Sequence, residues 1–97
     1  MSAFKWTLNV PLTVQIKDGI VEYKDITIRR PVVKDYENYR SIGGDIADYY
    51  AQAAYLLRAC MSVPVEHQDN IDLGADYHPL ARRMVNFLAL SQWEEHL

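Results

Sequence analysis

The chain has 97 residues, of which 49% are hydrophobic and 24% are charged, a composition typical of one folded domain. A single cysteine, Cys60, excludes an internal disulfide framework and a four-cysteine zinc module. The net charge of −3 argues against nucleic-acid binding, and the absence of an apolar run near ~20 residues predicts a cytoplasmic protein without membrane helices.

The first third of the chain predicts an antiparallel β-hairpin over about residues 6–30. Apolar side chains occupy the even positions from Trp6 to Ile16, which is the period-two pattern of a strand with one buried face. Pro11 lies on the polar face and cannot donate a hydrogen bond, so it predicts an edge strand or a bulge at this point. The hairpin is expected to bury five aliphatic side chains: Leu8, Val10, Val14, Ile26 and Ile28.

The dipeptide Asp18-Gly19 predicts a two-residue turn, because glycine takes a positive φ at little cost and aspartate tolerates one. In the return strand the apolar positions change from 21 and 23 to 26 and 28, which predicts a bulge near residues 24–25. Arg29 stands at the end of this strand. We expect it to pair with a carboxylate such as Asp35 rather than to contact a partner.

The remainder of the chain, about residues 35–95, predicts helices. Asp35 is a candidate cap for a short helix that the glycine pair at 43–44 would end. A second helix is predicted from Asp45 to about Met61, because apolar residues recur there at helical spacing. The expected buried face of this second helix is Ile46, Tyr50, Ala53, Leu57 and Cys60.

A connector over residues 64–75 follows the second helix, and we expect Ile71 and Leu73 to anchor it to the core. Asp76 is the candidate N-cap of the last helix. Pro79 would then lie in the first turn of that helix, where a missing N–H costs little.

The predicted order of two strands and then two or three helices is typical of an α+β fold. We expect an N-terminal antiparallel β-hairpin with the two or three α-helices packed on it. No internal repeat, low-complexity tract or linker interrupts the sequence, which predicts a single domain over residues 1–97.

No group of residues predicts catalysis, and we expect that the protein is not an enzyme. The histidines at positions 67, 78 and 96 lack the i, i+4 spacing of a helical metal site, and Cys60 is not spaced with them as a zinc ligand. The aspartates at 69, 72 and 76 lack the ordered oxygen ligands of a calcium loop. The sequence therefore predicts no catalytic residue, no cofactor and no metal site.

The last helix is predicted to carry two apolar faces. One face is expected to join the core and comprises Leu80, Met84, Phe87 and Leu88. The second face has no predicted cover in so small a domain, and uncovered apolar stripes are typical of interfaces. The alternative is that the helix frays after about Ser91. The candidate partner-binding residues are Leu90, Trp93 and Leu97, beside Arg83.

Short motifs follow one another in a recognisable order along most of the chain. A turn glycine is followed by an Ile-x-Ile-Arg-x-Pro segment and an aspartate, and later come Ile71-Asp72-Leu73, Asp76-Tyr77 and a final apolar stripe. This order, over about residues 8–90, resembles the small tail assembly chaperones of Mu-like and related contractile-tailed phages. The chain departs from that family in its tyrosine-rich stretch, residues 49–55. The residues that carry the resemblance are Gly19, Arg29, Pro31, Asp35, Asp76 and Phe87.

The resemblance implies a non-enzymatic role in building a phage tail. Chaperones of this kind bind the tape-measure protein, a long helical and partly apolar chain, and keep it soluble until tube protein polymerises around it. They act in the host cytoplasm and are generally absent from the finished particle. The resemblance also implies a frameshift-extended form of the same chain as a further partner, and the uncovered face of the last helix predicts a homo-oligomer.

Two other classes of function stay open at this point. The first is a small structural or adaptor subunit that remains in the phage tail, which mass spectrometry of purified particles would detect. The second is a small nucleic-acid-binding regulator that uses the arginine pairs at 29–30 or 82–83. Such a regulator would bind DNA with a steep salt dependence.

Overall fold

The computed structural model describes the backbone of residues 3–96 and the side chains of residues 3–88. Two strands form an antiparallel hairpin, β1 at Ala3–Ile16 and β2 at Gly19–Arg29. Three α-helices follow, and their bounds are α1 at Val33–Ser41, α2 at Tyr49–Cys60 and α3 at His78–His96. This arrangement confirms the α+β fold, with an N-terminal antiparallel hairpin and helices after it.

The connection from α2 to α3 contains two tighter helical turns. A 3₁₀ turn spans Val65–Asn70, and a π-helical turn spans Leu73–Tyr77. Gln68 is buried, and its side-chain amide donates to the carbonyl oxygens of Arg58 at 3.0 Å and Val63 at 2.8 Å. The connection is thereby bound to the end of α2.

The hairpin turn lies one residue earlier than the sequence predicts. Ile16 pairs with Gly19, so Lys17 and Asp18 form the two-residue turn, and Gly19 is the first residue of β2 with a φ of 148°. The predicted turn at Asp18-Gly19 was therefore wrong by one position. Moving the turn by one residue shifts each residue of β1 to a partner two positions away in β2. Side chains alternate with a period of two, so both registers place the same side chains on the same face. The apolar alternation in the sequence therefore could not distinguish the two registers.

The irregularity predicted at Pro11 and the bulge predicted near residues 24–25 are one and the same bulge in the structure. Thr7 stands opposite Asp25 and Leu12 stands opposite Tyr23, so residues 8–11 of β1 face Lys24 alone. Pro11 belongs to this bulge, as predicted, and the additional residues are in β1 rather than in β2. In β2 the apolar positions change from odd to even numbers across this bulge, and this change keeps the apolar side chains of both strands on the face that packs on the core.

The bulge also explains the one buried strand residue that was predicted wrongly. Leu8, Ile26 and Ile28 are buried as expected, and Val14 is half-buried. Val10, by contrast, is 46% exposed. It lies within the bulge, where strict alternation of side chains no longer holds.

The first two helices begin at positions that differ from those predicted. α1 begins at Val33, and Asp35 is its third residue rather than its cap. α2 begins at Tyr49 rather than Asp45, because Asp48 is its N-cap and accepts a hydrogen bond from the Ala51 N–H at 3.0 Å. The glycine pair ends α1 as predicted, since Gly43 has a φ of 83°.

The buried face of α2 was only partly predicted. Ala53, Leu57 and Cys60 are buried, whereas Ile46 and Tyr50 are exposed. Ile46 precedes the helix and Tyr50 lies in its first turn, so both stand before the part of α2 that packs on the core.

The region before α3 contains two further corrections. Ile71 is buried as expected, but Leu73 is exposed at the start of the π-helical turn. Asp76 does not cap α3, because it lies inside the π-helical turn. The N-cap of that turn is Asp72, which accepts from the Ala75 N–H at 2.7 Å. Pro79 is in the first turn of α3, as predicted.

One hydrophobic cluster joins the hairpin to the helices. Leu80 and Met84 of α3 are fully buried in it, and Phe87 and Leu88 pack against it, which confirms the predicted core face of α3. The cluster comprises residues from both strands, α2, α3 and the connection between them: Phe4, Leu8, Leu12, Ile26, Ile28, Ala53, Leu56, Leu57, Cys60, Met61, Val63, Ile71, Leu80 and Met84. Within the described part of the chain, no helix is both long enough and apolar enough to cross a lipid bilayer.

Candidate interaction surface

Asp76 fastens the π-helical turn before α3 to the bulge of β1. Its side chain is fully buried, and Oδ1 accepts from the Asn9 N–H at 2.7 Å and the Trp6 indole N–H at 3.1 Å. Oδ2 accepts from the Val10 N–H at 3.1 Å, and the Asn9 side-chain amide also donates to Oδ1 at 3.3 Å. Residues 9 and 10 have no partner in β2 at the bulge, so the carboxylate satisfies N–H groups that the sheet does not.

The Asp76 carboxyl stays ionised although only neutral groups bind it. Burial alone would raise its pKa, but the hydrogen bonds from Asn9, Trp6 and Val10 outweigh burial and lower the pKa. Among the described residues, no lysine or arginine contacts this carboxylate. The arrangement is a structural joint between residues nearly 70 positions apart.

Arg29 and Asp35 form the second joint, which the sequence predicts. Arg29 donates to both carboxylate oxygens of Asp35, at 2.8 and 2.9 Å, and the Val32 N–H donates to Oδ2 at 2.8 Å. The hydrogen bonds from Arg29 lower the pKa of Asp35 against the opposing effect of its burial. This bidentate pair fixes the end of β2 against the start of α1, with Pro31 between them.

The chemistry of Cys60 gives no candidate nucleophile. The thiol is 3% exposed, and burial raises its pKa to about 11 despite the nearby positive charge of Arg29. A thiol with that pKa is almost entirely protonated near neutral pH, and the thiolate is the reactive form. Among the described residues, no three His, Cys, Asp or Glu side chains are grouped so that they could hold a metal ion.

An exposed apolar segment connects α1 to α2, and we call residues 42–50 the junction segment. Ile42 is 68% exposed, Ile46 50%, Tyr49 64% and Tyr50 73%, so four large apolar side chains face solvent within nine residues. The only charged side chains in the segment are those of Asp45 and Asp48. Large apolar groups concentrated in this way on a surface are typical of a protein interface.

The junction segment is anchored rather than loosely attached. The hydroxyl of the buried Tyr39 donates to the Asp45 carbonyl oxygen at 2.8 Å, and the Gly44 N–H donates to the Tyr39 carbonyl oxygen at 3.0 Å. The Tyr39 ring lies so close to Gly44 that a Cβ added there would stand 2.5 Å from ring carbons. The Tyr39 ring in turn packs on Tyr55 of α2, with ring centroids 5.3 Å apart. The exposed side chains are thus presented from a defined backbone.

The predicted partner-binding residues fall in two groups. Leu90, Trp93 and Leu97 lie outside the residues whose side chains the structure describes, so the predicted second face of α3 stays a prediction. Arg83 is described, and its guanidinium carbon lies 4.4 Å from the centroid of the Phe4 ring. Phe4 also packs on Phe87, with ring centroids 5.5 Å apart.

The motif residues do not form one site. Arg29 and Asp35 contact each other, Phe87 contacts the core, and Asp76 binds the bulge. Gly19 begins β2 at the turn, at the opposite end of that strand from Arg29. These residues maintain the fold, and the surface available to a partner consists of other residues.

Sequence reasoning missed the junction segment because helical spacing assigned Ile46 and Tyr50 to the core. The available signal was Asp48, an aspartate directly before the alanine-rich stretch that forms α2, which places the N-cap after Ile46. With the helix starting at Tyr49, the residues before it lose their predicted cover.

Comparison of the chain with protein-family models, curated proteins and solved structures gave no match.

Proposed function

We propose that this protein is a non-enzymatic tail assembly chaperone of a contractile-tailed phage, which binds the tape-measure protein and keeps it soluble during assembly of the tail tube. The proposal includes action in the host cytoplasm, self-association and absence from the finished particle. The order of motifs from Gly19 to Phe87 supports the family, as a resemblance in sequence. The feature that carries the binding role is the exposed junction segment.

A chaperone for a partly apolar helical chain needs apolar surface that its own fold leaves uncovered. The junction segment supplies four such side chains on a backbone that Tyr39 anchors. Exposed apolar side chains grouped in this way along the chain suit the apolar face of an amphipathic helix, whose docking is a common mode of peptide recognition. Aromatic residues such as Tyr49 and Tyr50 contribute large contact area with little loss of conformational entropy.

Co-expression with the cognate tape-measure protein tests the proposal. The wild-type chain should raise the soluble fraction of the tape measure and should be recovered with it in a pull-down. If the tape measure stays equally insoluble and no complex is recovered, the proposed function is wrong.

A pair of matched substitutions tests the role of the junction segment. Ile42→Ser removes an exposed side chain inside the segment, and Ile20→Ser removes one of nearly equal exposure, 70% against 68%, at the hairpin turn. We expect Ile42→Ser to lower tape-measure recovery about fivefold or more and Ile20→Ser to leave it within about twofold. Equal losses for both variants would show that binding depends on general surface hydrophobicity and not on this segment.

A further inference from the structure

A basic cleft lies beside the first turns of α3 and is lined by residues that take no part in either joint. It has a volume of about 450 Å³, within the range of roughly 300–1,000 Å³ that ligand sites usually have. Its walls include His78, Arg82, Arg83 and Asn86, with Gly74 and Pro79 completing the lining. All four of the polar side chains in the wall can donate hydrogen bonds, and none of the described lining residues carries a carboxylate.

The donors in this cleft follow the spacing of the helix. His78, Arg82 and Asn86 are separated by four residues each, so they form one row along α3 at intervals of about 6 Å. Arg83 stands beside the row, and the Phe4 ring beneath its guanidinium restricts where that charge can lie. The cleft is therefore a short, ordered row of donors and not a diffuse positive surface.

The two arginines are available to a ligand. Among residues 3–88, no carboxylate contacts Arg82 or Arg83, in contrast to Arg29 and Arg58, which each pair with an aspartate. Two aspartates lie near the cleft in sequence, and both have other partners: Asp72 Oδ1 accepts from the Ala75 N–H at 2.7 Å, and the buried Asp76 carboxylate accepts from the Asn9 and Val10 N–H groups. Within the described part of the chain neither arginine forms an ion pair, so both charges are available to an incoming anion.

We propose that this cleft binds an acidic helical segment of a partner protein, with the row His78, Arg82 and Asn86 and the adjacent Arg83 receiving carboxylates spaced at i and i+4. Carboxylates four residues apart on a helix repeat at about 6 Å, which matches the row of donors. Arginine binds carboxylates through paired hydrogen bonds, and Pro79 adds an apolar wall for the side-chain methylenes. The proposal does not depend on the chaperone function or on the junction segment.

The charge of the chain favours an acidic protein segment over nucleic acid. Residues 49–97 contain three basic and six acidic residues, and a protein that reads a phosphate backbone presents a wider basic face. Two arginines in a cleft of this size suit a few carboxylates on one side of a helix.

The probe for the test is a fluorescein-labelled, alanine-rich peptide of about 16 residues with glutamate at every fourth position, which places its carboxylates on one helical face. A twin peptide with glutamine in place of glutamate measures binding without charge. Fluorescence anisotropy should show the glutamate peptide binding the full chain at least about tenfold more tightly than the glutamine twin.

Two charge reversals with the same change in net charge separate the cleft from general electrostatics. Arg82→Glu lies in the cleft, whereas Arg40→Glu lies on an exposed position of α1. We expect Arg82→Glu to weaken binding of the glutamate peptide about tenfold or more and Arg40→Glu to weaken it less than about twofold. Circular dichroism should show both variants folded, because both side chains are exposed.

Three results would overturn the proposal. The first is equal binding of the glutamate and glutamine peptides, and the second is equal weakening by Arg82→Glu and Arg40→Glu. The third is tighter binding of a duplex DNA oligonucleotide than of the glutamate peptide, with Arg82→Glu abolishing the DNA complex. That result would assign the cleft to nucleic acid instead.

Discussion

Asp35 and Asp76 are both buried aspartates that join separate parts of the fold, but they are stabilised by different groups. Asp35 has a charged partner, the Arg29 guanidinium, which is itself about half exposed. Among the described residues Asp76 has only neutral donors, and two of them are backbone N–H groups that the β1 bulge removes from the sheet. A buried carboxylate can thus be held by an opposite charge or by a set of directed neutral hydrogen bonds.

The two joints also differ in what they connect along the chain. Arg29 and Asp35 are six residues apart, so their pair fixes a local turn between β2 and α1. Asp76 is bound to residues 66–70 positions earlier, so its hydrogen bonds close the fold between the first strand and the turn that leads into the last helix. Removing Asp76 should therefore disturb more of the molecule than removing Asp35.

The largest effect is expected from Asp76→Ala. The substitution leaves the Trp6 indole and the Asn9 and Val10 N–H groups without their acceptor, which should lower the free energy of unfolding by about 3 kcal/mol or more. Asp76→Asn keeps one acceptor oxygen but turns an amide NH₂ toward an N–H donor, so we expect it to lower the free energy of unfolding by about 1–2 kcal/mol. Urea denaturation measures both. A loss below that of Asp35→Ala would reverse the proposed order of the two joints.

A smaller loss, about 2 kcal/mol, is expected from Asp35→Ala. The substitution removes the acceptor of the Val32 N–H and the partner of Arg29, but solvent screening reduces the contribution of the half-exposed guanidinium. A double-mutant cycle with Arg29→Ala should give a coupling energy of about 1 kcal/mol. No measurable coupling would show that the Val32 hydrogen bond, and not the ion pair, stabilises this joint.

A loss of about 1 kcal/mol is expected from Gly19→Val, which lies far from either joint. Gly19 has a φ of 148°, a conformation that a β-branched residue resists, although no atom stands within 4 Å of the added Cβ. Gly74→Val is the matched control, because it introduces the same side chain where the Cβ has comparable space and φ does not favour glycine. If thermal unfolding of the two variants does not differ, backbone strain at the turn is not the cause.

The smallest change in the free energy of unfolding is expected from acidification between pH 7 and pH 4. The pKa of each aspartate is lower in the folded protein than in the unfolded chain, where it is about 3.9. The stabilisation that each contributes is thus fully present above pH 4 and is lost as the pH falls through the folded pKa. Urea denaturation at several pH values should show this fall, and Asp76→Asn should make it shallower. Stability that rises below pH 4 would contradict the assignment.

The interactions that sequence reasoning predicted are those between near neighbours in the chain. The hairpin follows from the alternation of apolar and polar residues, and the core face of α3 follows from helical spacing. The Arg29–Asp35 pair joins residues only six positions apart. The Asp76 joint could not be predicted this way, because its donors lie nearly 70 residues away and become available only when the bulge forms. An aspartate before a helix is most simply read as an N-cap, and that local reading was wrong for Asp76.

The bulge also decides which parts of the hairpin could pair with another chain. A sheet of two strands has two edges, and an unpaired edge is a template for strand addition and aggregation. On β2 the Thr27 N–H donates to the Ser62 hydroxyl at 2.9 Å, and the Ser62 N–H donates to the Thr27 carbonyl oxygen at 2.8 Å. On β1 the Asp76 carboxylate occupies the N–H groups of Asn9 and Val10. Both edges are thus blocked beside the core by side chains and a short bridge, which protects the folded protein from growing by edge-to-edge pairing there.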